Sequence, residues 1–387
     1  MIARIIEKKI IDRLLNTKKS VILYGPRQVG KTTLAHHILD QLQLKTLRIN
    51  ADEKIYSDVL SSRDLNKINQ LIHGYDILFI DEAQRIENIG INLKIIIDQH
   101  PEMKVLATGS SSFDLANKIS EPLTGRIWSF HLFPISCEEI LNQSTAFEYH
   151  RNLENYLLYG SYPELLSYAL KKDKIAYLNQ ISQASLYKDI LDFAEIKHAN
   201  KITKLLQLLA YQVGNEVSLS ELGNALELSK ETVNRYIDLL EKSFVIFRLS
   251  GFSRNLRKEV SKMDKIYFYD PGIRNSLLGN FNSLHLRSDA GSLWENFLII
   301  ERMKYNHYHQ HYRNIYFWRV YTGAEIDYIE EGEGKLHAYE FKWKNKASRS
   351  GDSWIKAYPD AGFSVIHQDN YMPFISDPES FAKDFIC

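Results

Sequence analysis

At 387 residues, with 44% apolar and 25% charged residues, the chain exceeds what one compact core organises and suggests two or three globular domains. Lys+Arg and Asp+Glu both number 48, so no global field draws the molecule to DNA or to an anionic membrane. No apolar run is long enough to cross a bilayer, and two distant cysteines, Cys137 and Cys387, make no disulfide framework, so a cytoplasmic protein with no membrane partner is expected.

In chain order, Ile6, Ile10, Ile11, Leu14 and Leu15 recur at helical spacing and predict a short lead-in helix. β-branched runs then alternate with helical stretches. This pattern predicts an α/β fold with a mostly parallel sheet and strands at Val21–Tyr24, Leu47–Asn50, Ile77–Asp81, Lys104–Thr108 and Ile127–Leu132. Between the first strand and a helix beginning near Thr33 lies Gly25-Pro26-Arg27-Gln28-Val29-Gly30-Lys31-Thr32-Thr33. A strand that turns sharply into a helix leaves backbone N–H groups without partners, and these, with the positive end of the helix dipole, surround a polyphosphate. Lys31 adds a point charge and Thr32 a hydroxyl for magnesium, so ATP and Mg2+ are the expected cofactors.

The apolar run Ile77–Ile80 leads into Asp81 and Glu82. A buried strand ending there lets Asp81 hold the magnesium through water and Glu82 orient and deprotonate the attacking water. After the next strand, Thr108 or Ser110 reads either as a sensor of the γ-phosphate or as a turn-forming hydroxyl. Arg126, just ahead of the last strand, reads either as a group stabilising transition-state charge, in cis or across a subunit boundary, or as half of a surface ion pair.

From about Ser136 to Lys242 helical periodicity takes over. Ser218-Leu219-Ser220-Glu221 has the spacing of a capping box, and Ser229 caps a second helix whose apolar stripe is Val233, Tyr236, Ile237 and Leu240. With the strand that follows, this looks like a winged helix-turn-helix. It serves either as a DNA reader through Asn234 and Arg235 or as a structural lid. Residues 248–274 carry seven basic groups against three acids, an excess suited to phosphates.

Farther on, strands are expected near Val245–Leu249, Lys265–Tyr269, Ile315–Tyr321, Ala324–Glu330 and Lys335–Trp343, the last two joined by the turn Glu331-Gly332-Glu333-Gly334. Residues two apart in a strand share a face, so Glu340 and Lys342 point the same way, and with Asp327 opposite they make a candidate magnesium-dependent hydrolytic centre. Glu295, at the start of a helix, is a further candidate metal ligand, and Lys342 the candidate activator of water. His307, His309 and His311 alternate, read either as metal ligands on one strand face or, with no further ligands accompanying them, as a polar surface strand.

Gly25–Leu34, Phe79-Ile80-Asp81-Glu82-Ala83-Gln84, Thr108-Gly109-Ser110-Ser111 and Leu123-Thr124-Gly125-Arg126 resemble a family of prokaryotic AAA+-like ATPases. Tyr159-Gly160-Ser161-Tyr162-Pro163-Glu164 and Tyr187-Lys188-Asp189-Ile190 extend the likeness, although Ser161 stands where a second glycine is expected. The resemblance implies ATP binding and hydrolysis, a helical middle and a C-terminal domain of unknown function. Glu295, Asp327, Glu340 and Lys342, with Gly323-Ala324-Glu325-Ile326-Asp327, resemble the PD-(D/E)xK nucleases, which persist both as enzymes and as inactive binding modules. The expected organisation is therefore a P-loop NTPase domain at 1–140, a helical and winged-helix middle at 141–250 and a restriction-endonuclease-like α/β domain at 251–387. Nucleotide state is expected to govern DNA contact or cleavage, with a nucleotide switch carrying an inactive recognition module as the alternative and a homo-oligomer compatible with either.

Overall fold

In the computed structural model, which describes residues 2–110, 123–193, 199–253, 263–320, 323–346, 348 and 350–376, the chain divides into two units. One is Met1–Pro134 with 192–194 and 242–244; the other is Ile135–Leu191, Glu195–Glu241 and Val245–Cys387.

The first unit opens with α1 (Glu7–Asn16), which buries Ile10 and Leu14 and exposes Leu15. Strands β1 (Ser20–Tyr24), β2 (Thr46–Asn50), β3 (Ile77–Asp81), β4 (Lys104–Gly109) and β5 (Ile127–His131) form one sheet in the order β2-β3-β4-β1-β5, every neighbouring pair parallel. Helices α2 (Lys31–Leu42), α3 (Lys54–Ser61), α4 (Leu65–Ile72) and α5 (Ile89–Gln99) connect them. All of β1 is buried, as expected of a central strand covered on both faces. Each strand lies within one residue of its expected limits, because continuous β-branched runs bounded by polar residues leave little freedom in a parallel sheet. All strand ends that carry candidate chemistry, at Tyr24, Asp81 and Gly109, fall on the carboxyl edge. The turn after β1 lies close against the segment after β5: a Cβ on Gly25 would sit 2.1 Å from the Leu132 carbonyl oxygen, so only glycine fits.

The second unit continues with α6 (Cys137–Leu141), α7 (Ala146–Arg151), α8 (Leu153–Tyr159), α9 (Lys171–Phe193), α10 (Ala199–Tyr211), α11 (Leu219–Leu226) and α12 (Lys230–Lys242). The antiparallel pair β6 (Ile246–Leu249) and β7 (Lys265–Phe268) follows, then α13 (Pro271–Leu278) and the long α14 (Ala290–Tyr308). Ser218 caps α11 by accepting from the Glu221 N–H, as its spacing predicts. The turn at Gly160 approaches Asp270 so closely that a Cβ would lie 1.9 Å from Oδ1. Asp270 caps α13 and also accepts the Ser161 N–H at 2.9 Å, while Ser161 Oγ accepts from Lys304 Nζ at 3.2 Å. Serine in place of the second glycine therefore gives a buried ammonium an acceptor. The side chains of Tyr187 to Ile190 lie outside the described residues.

The last sheet has the order β11-β10-β9-β8, from β8 (Asn314–Arg319), β9 (Glu325–Gly332), β10 (Lys335–Phe341) and β11 (Gly362–Ile366), with α15 (Ser350–Ala357) before β11 and α16 (Met372–Ser376) after it. Strand β11 pairs parallel with β10 and was not expected from sequence; Gly362-Phe363-Ser364-Val365-Ile366 alternates weakly and is too short to declare itself. The expected four-residue turn is two residues tighter, because Glu333 and Gly334 both take positive φ and let β9 run on to Gly332. The histidine strand is corrected as well. His307 lies inside α14 and His309 at its C-cap, where it stacks on Tyr305 at 4.3 Å and bonds Glu138 at 2.8 Å, so helical packing overrides the alternation.

Candidate nucleotide site and the C-terminal carboxylate face

The turn from β1 into α2 is shaped by three residues in unusual backbone: Gly25 at φ 152, Gln28 at φ 61 and Gly30 at φ 92. Gly30 N-caps α2 without a side-chain hydrogen bond, which leaves the helix's first N–H groups directed at the turn. Lys31 is buried, and its ammonium donates to the carbonyls of Gly25 and Pro26, each at 2.8 Å. It thus lies across the mouth of the loop, where phosphate oxygens compete with those carbonyls. Thr32 Oγ1 donates to the Asp81 carboxylate, at 3.0 Å to Oδ1 and 2.9 Å to Oδ2. A hydroxyl and a carboxylate brought together at the edge of a phosphate loop are hard oxygen donors that suit Mg2+.

Hydrogen bonds between separate segments complete the arrangement. Glu82 sits at φ 54, and its N–H donates to Thr108 Oγ1 at 3.1 Å, while the Thr108 hydroxyl bonds Asp81. Gln84, buried, donates one amide group both to the Glu82 carboxylate and to Ser110 Oγ, the latter at 3.0 Å. Ser110 and Thr108 are therefore each linked by hydrogen bonds to one of the two carboxylates. Ser111 lies outside the described residues. Arg4 donates to the carbonyls of Val29, at 2.8 Å, and Phe133, at 2.6 Å, and braces the loop from the N-terminal segment. A lone arginine far from any motif carries no signal in the sequence. Gln84 lies two residues from Glu82, but its other partner, Ser110, follows a different strand.

Arg126 is placed differently from its cis reading. Ser20 pairs with Ile127, and the Ser20 N–H bonds the Arg126 carbonyl at 2.9 Å, so Arg126 stands at the amino edge of the sheet, across the length of β1 from the phosphate loop. Its guanidinium makes a two-pronged pair with Asp98, at 2.7 and 3.1 Å. That hydrogen bond raises the arginine pKa and lowers that of Asp98. Arg126 and the phosphate loop therefore stand at opposite ends of β1.

In the helical middle, α12 presents Lys230 and Arg235 to solvent, but Asn234 is occupied: its Oδ1 accepts from Arg248 at 3.1 Å. Arg248 also pairs with Asp238 at 2.7 Å and Glu241 at 2.6 Å. Of the seven basic groups in 248–274, Arg254, Arg257, Lys258 and Lys262 lie outside the described residues. The other three are internally paired, Lys265 with Glu295 and Glu325 and Arg274 with Asp289. Tertiary pairing has used their charge.

The C-terminal register Tyr339↔Tyr328, continued by one residue, sets Glu340 opposite Asp327, so the expected shared face is present. Its donors are nevertheless committed to the protein. Asp327 accepts the Phe341 N–H at 2.7 Å; Glu340 pairs with Lys342 at 2.5 Å and with the Ser348 hydroxyl; Glu295 accepts from Tyr267 at 2.5 Å and from Lys265 at 3.4 Å. Among the described residues no group of three or more His, Cys, Asp or Glu is arranged to hold a metal, and Glu295, Asp327 and Glu340 do not fit one. Buried Lys265, which also bonds Glu325 at 2.5 Å, is the reason. Burial disfavours its charge, but Glu295, Asp327 and Glu325 outweigh that and raise its pKa, so an internal ammonium supplies the positive charge a cation would bring. For Asp327, burial and then the charge of Glu295 hold the pKa well above the ordinary carboxylate range.

Residues 17–141 match the family model of an AAA domain, and residues 150–284 and 290–378 match two domains of unknown function. An uncharacterized protein of Mycobacterium tuberculosis is 26% identical over 373 residues, 95% of this chain and 80% of its own length. One from Methanocaldococcus jannaschii is 29% identical over 317 residues, 70% of this chain and 65% of its own. Among solved structures, the Walker-type ATPase of Pyrococcus abyssi superposes with a TM-score of 0.50 at 16% identity, covering 72% of this chain and 96% of that one, a likeness of fold. The AAA-domain match over residues 17–141, with a P-loop turn on a parallel sheet, supports nucleotide binding and hydrolysis by this part of the chain. No helix among the described residues is long and apolar enough to cross a membrane.

Proposed function

We propose that the first unit binds ATP with Mg2+ in the turn between β1 and α2 and hydrolyses it, and that the second unit is a recognition module that does not cut nucleic acid. The observation that carries the first part is the Thr32–Asp81 contact at 2.9 Å beside a buried lysine, with Glu82 held one residue on. The backbone from Gly25 to Gly30 and the N–H groups of Lys31, Thr32 and Thr33 surround the phosphates; Lys31 neutralises their charge; Thr32 and Asp81 hold the metal. Mg2+ held there would neutralise phosphate charge. Glu82 takes the proton of the attacking water, and Gln84 links that carboxylate to Ser110, so the presence of the γ-phosphate is relayed to the base. On this reading 1–140 is the ATPase domain, 141–250 a lid with a winged helix whose Asn234 is turned inward, and 251–387 a restriction-endonuclease-like module neutralised by Lys265.

Incubating the full chain with Mg2+ and ATP, in the presence of single- and double-stranded DNA, is expected to release phosphate and leave the DNA intact. Metal-dependent cutting that Lys342→Ala abolishes would sink the recognition reading; absence of phosphate release in all conditions would sink the ATPase reading.

Arg126 serves a neighbouring copy in this proposal, since its own nucleotide lies at the other edge of the sheet. Arg126→Ala and Glu82→Gln proteins, each slow alone, are then expected to regain phosphate release when mixed, because one mixed interface carries both intact groups. A mixture no faster than its parts counts against the role in trans.

A further inference from the structure

The second unit contains an open cavity of about 470 Å³ that no step above uses. Four of its lining side chains are cationic or become so on protonation: His150, Arg151, His285 and Lys344. One acid, Glu154, faces them, and its Oε1 is engaged by the Leu284 N–H at 2.9 Å. Elsewhere in this unit the buried cations Lys265, Arg274, Arg302 and Lys304 each have a carboxylate partner. Among the described residues, neither Arg151 nor Lys344 forms an ion pair, and both are exposed. Arg151 shares its charge only through space with Glu148 of its own helix, and two permanent charges exposed at a concave surface suit an anion.

Trp343 adds the second determinant. Its ring packs edge-on to buried Trp294 at 5.5 Å, and its carbonyl accepts from Gln368 Nε2 at 2.6 Å, so the indole is held in place as part of the wall. A fixed indole beside cations offers a planar apolar body a surface to stack on, while its phosphate meets Arg151 and Lys344. The volume is that of a small-molecule site. None of Glu295, Asp327, Glu340 and Lys342 lines this cavity, so the cleft is separate from the carboxylate face.

We infer that this cavity binds a nucleoside phosphate, either a free nucleotide or one nucleotide of a single strand, with Arg151 and Lys344 on the phosphate and Trp343 stacked on the base. Glu154 Oε2 is the acceptor for a base N–H.

The test uses the full chain carrying Lys31→Ala, so that binding at the ATP loop is removed and a failure here leaves the ATPase reading untouched. GMP, AMP, inorganic phosphate and a 5′-phosphorylated single-stranded oligonucleotide are titrated calorimetrically and by tryptophan fluorescence. A mononucleotide or the oligonucleotide is expected to bind, to lose about tenfold or more in affinity with Arg151→Ala/Lys344→Ala, and to lose its quenching of fluorescence with Trp343→Phe. Tighter binding of the oligonucleotide identifies the strand as the source, and equal or tighter binding of the mononucleotide identifies the free species. No binding of any probe, affinity unchanged by the double substitution, or inorganic phosphate binding as well as the nucleotides would overturn the inference. Because Arg151 and Lys344 are exposed, ATP hydrolysis by the double variant in the otherwise native chain is expected to be unchanged, which checks that it folds.

Discussion

Lys31→Ala is expected to lower ATP hydrolysis by about 100-fold or more, the scale on which removal of one preorganised electrostatic group acts. The ammonium is buried and rests on two carbonyls of its own loop at 2.8 Å, so it is already at the centre of the turn and needs no large rearrangement to meet phosphate. Its loss removes a buried permanent positive charge from the centre of the turn and weakens the hold on a polyanion. Affinity for nucleotide falls together with turnover. Glu82→Gln is the informative contrast: the amide keeps the size of the side chain but cannot accept a proton, so nucleotide titration is retained while phosphate release drops by about 100-fold or more. Calorimetry with Mg2+ and ATP, phosphate release and circular dichroism separate these outcomes. A Lys31→Ala protein that hydrolyses ATP at the parental rate removes the loop from the mechanism.

Glu330→Ala is expected to destabilise the second unit by about 3–5 kcal/mol, because it strands a buried guanidinium. Arg302 is 2% exposed and donates to both Glu330 oxygens, at 2.7 and 2.8 Å. Arg313 adds a bond at 2.6 Å, Asn306 one at 2.7 Å and Tyr328 one at 3.2 Å, so the carboxylate sits at the centre of a polar network inside an apolar sheet. Burial by itself would raise the Glu330 pKa, but Arg302 first and then Arg313 and Asn306 bring it down to about 2. The sign for stability follows: a lowered folded-state pKa contributes stability that is complete above the ordinary glutamate value of 4.5 and is lost as pH falls through about 2. Acid denaturation of the parent therefore includes this loss, and Glu330→Ala flattens the stability profile in that window. Replacing both partners, Arg302→Met with Glu330→Leu, is expected to recover most of the loss, since no buried charge remains. Urea unfolding at pH 7 and pH 3 measures both effects. A single substitution no worse than about 1 kcal/mol would show that the network contributes packing and little else.

The phosphate loop, its strands and the acidic pair were legible because their signals are local. A strand, a glycine turn and a helix start within Ser20–Leu42 are specified by neighbours in sequence, and Asp81 follows its own apolar run. Gln84, Thr108 and Ser110 were visible as residues but not as a relay, since their bonds join different strands. Arg126 was legible as an arginine before a strand; only the parallel register placed it at the far edge. The alternating histidines show the converse, a strand-like pattern overruled by the burial of α14.

By itself, then, the order of residues determined the glycine-rich loop, the parallel sheet and the pairing of Asp327 with Glu340. These follow from backbone periodicity and short-range spacing, which do not depend on distant partners. The tertiary structure alone decided how the charges are spent. Lys265 reaches Glu295 and Glu325 across long stretches of chain and satisfies a carboxylate face that reads in isolation as a metal centre, while Arg151 and Lys344 meet Trp343 at a cavity no linear pattern announces. The physical reason is that ionic energies depend on distance and burial in space, and folding sets both only when remote segments close on one another.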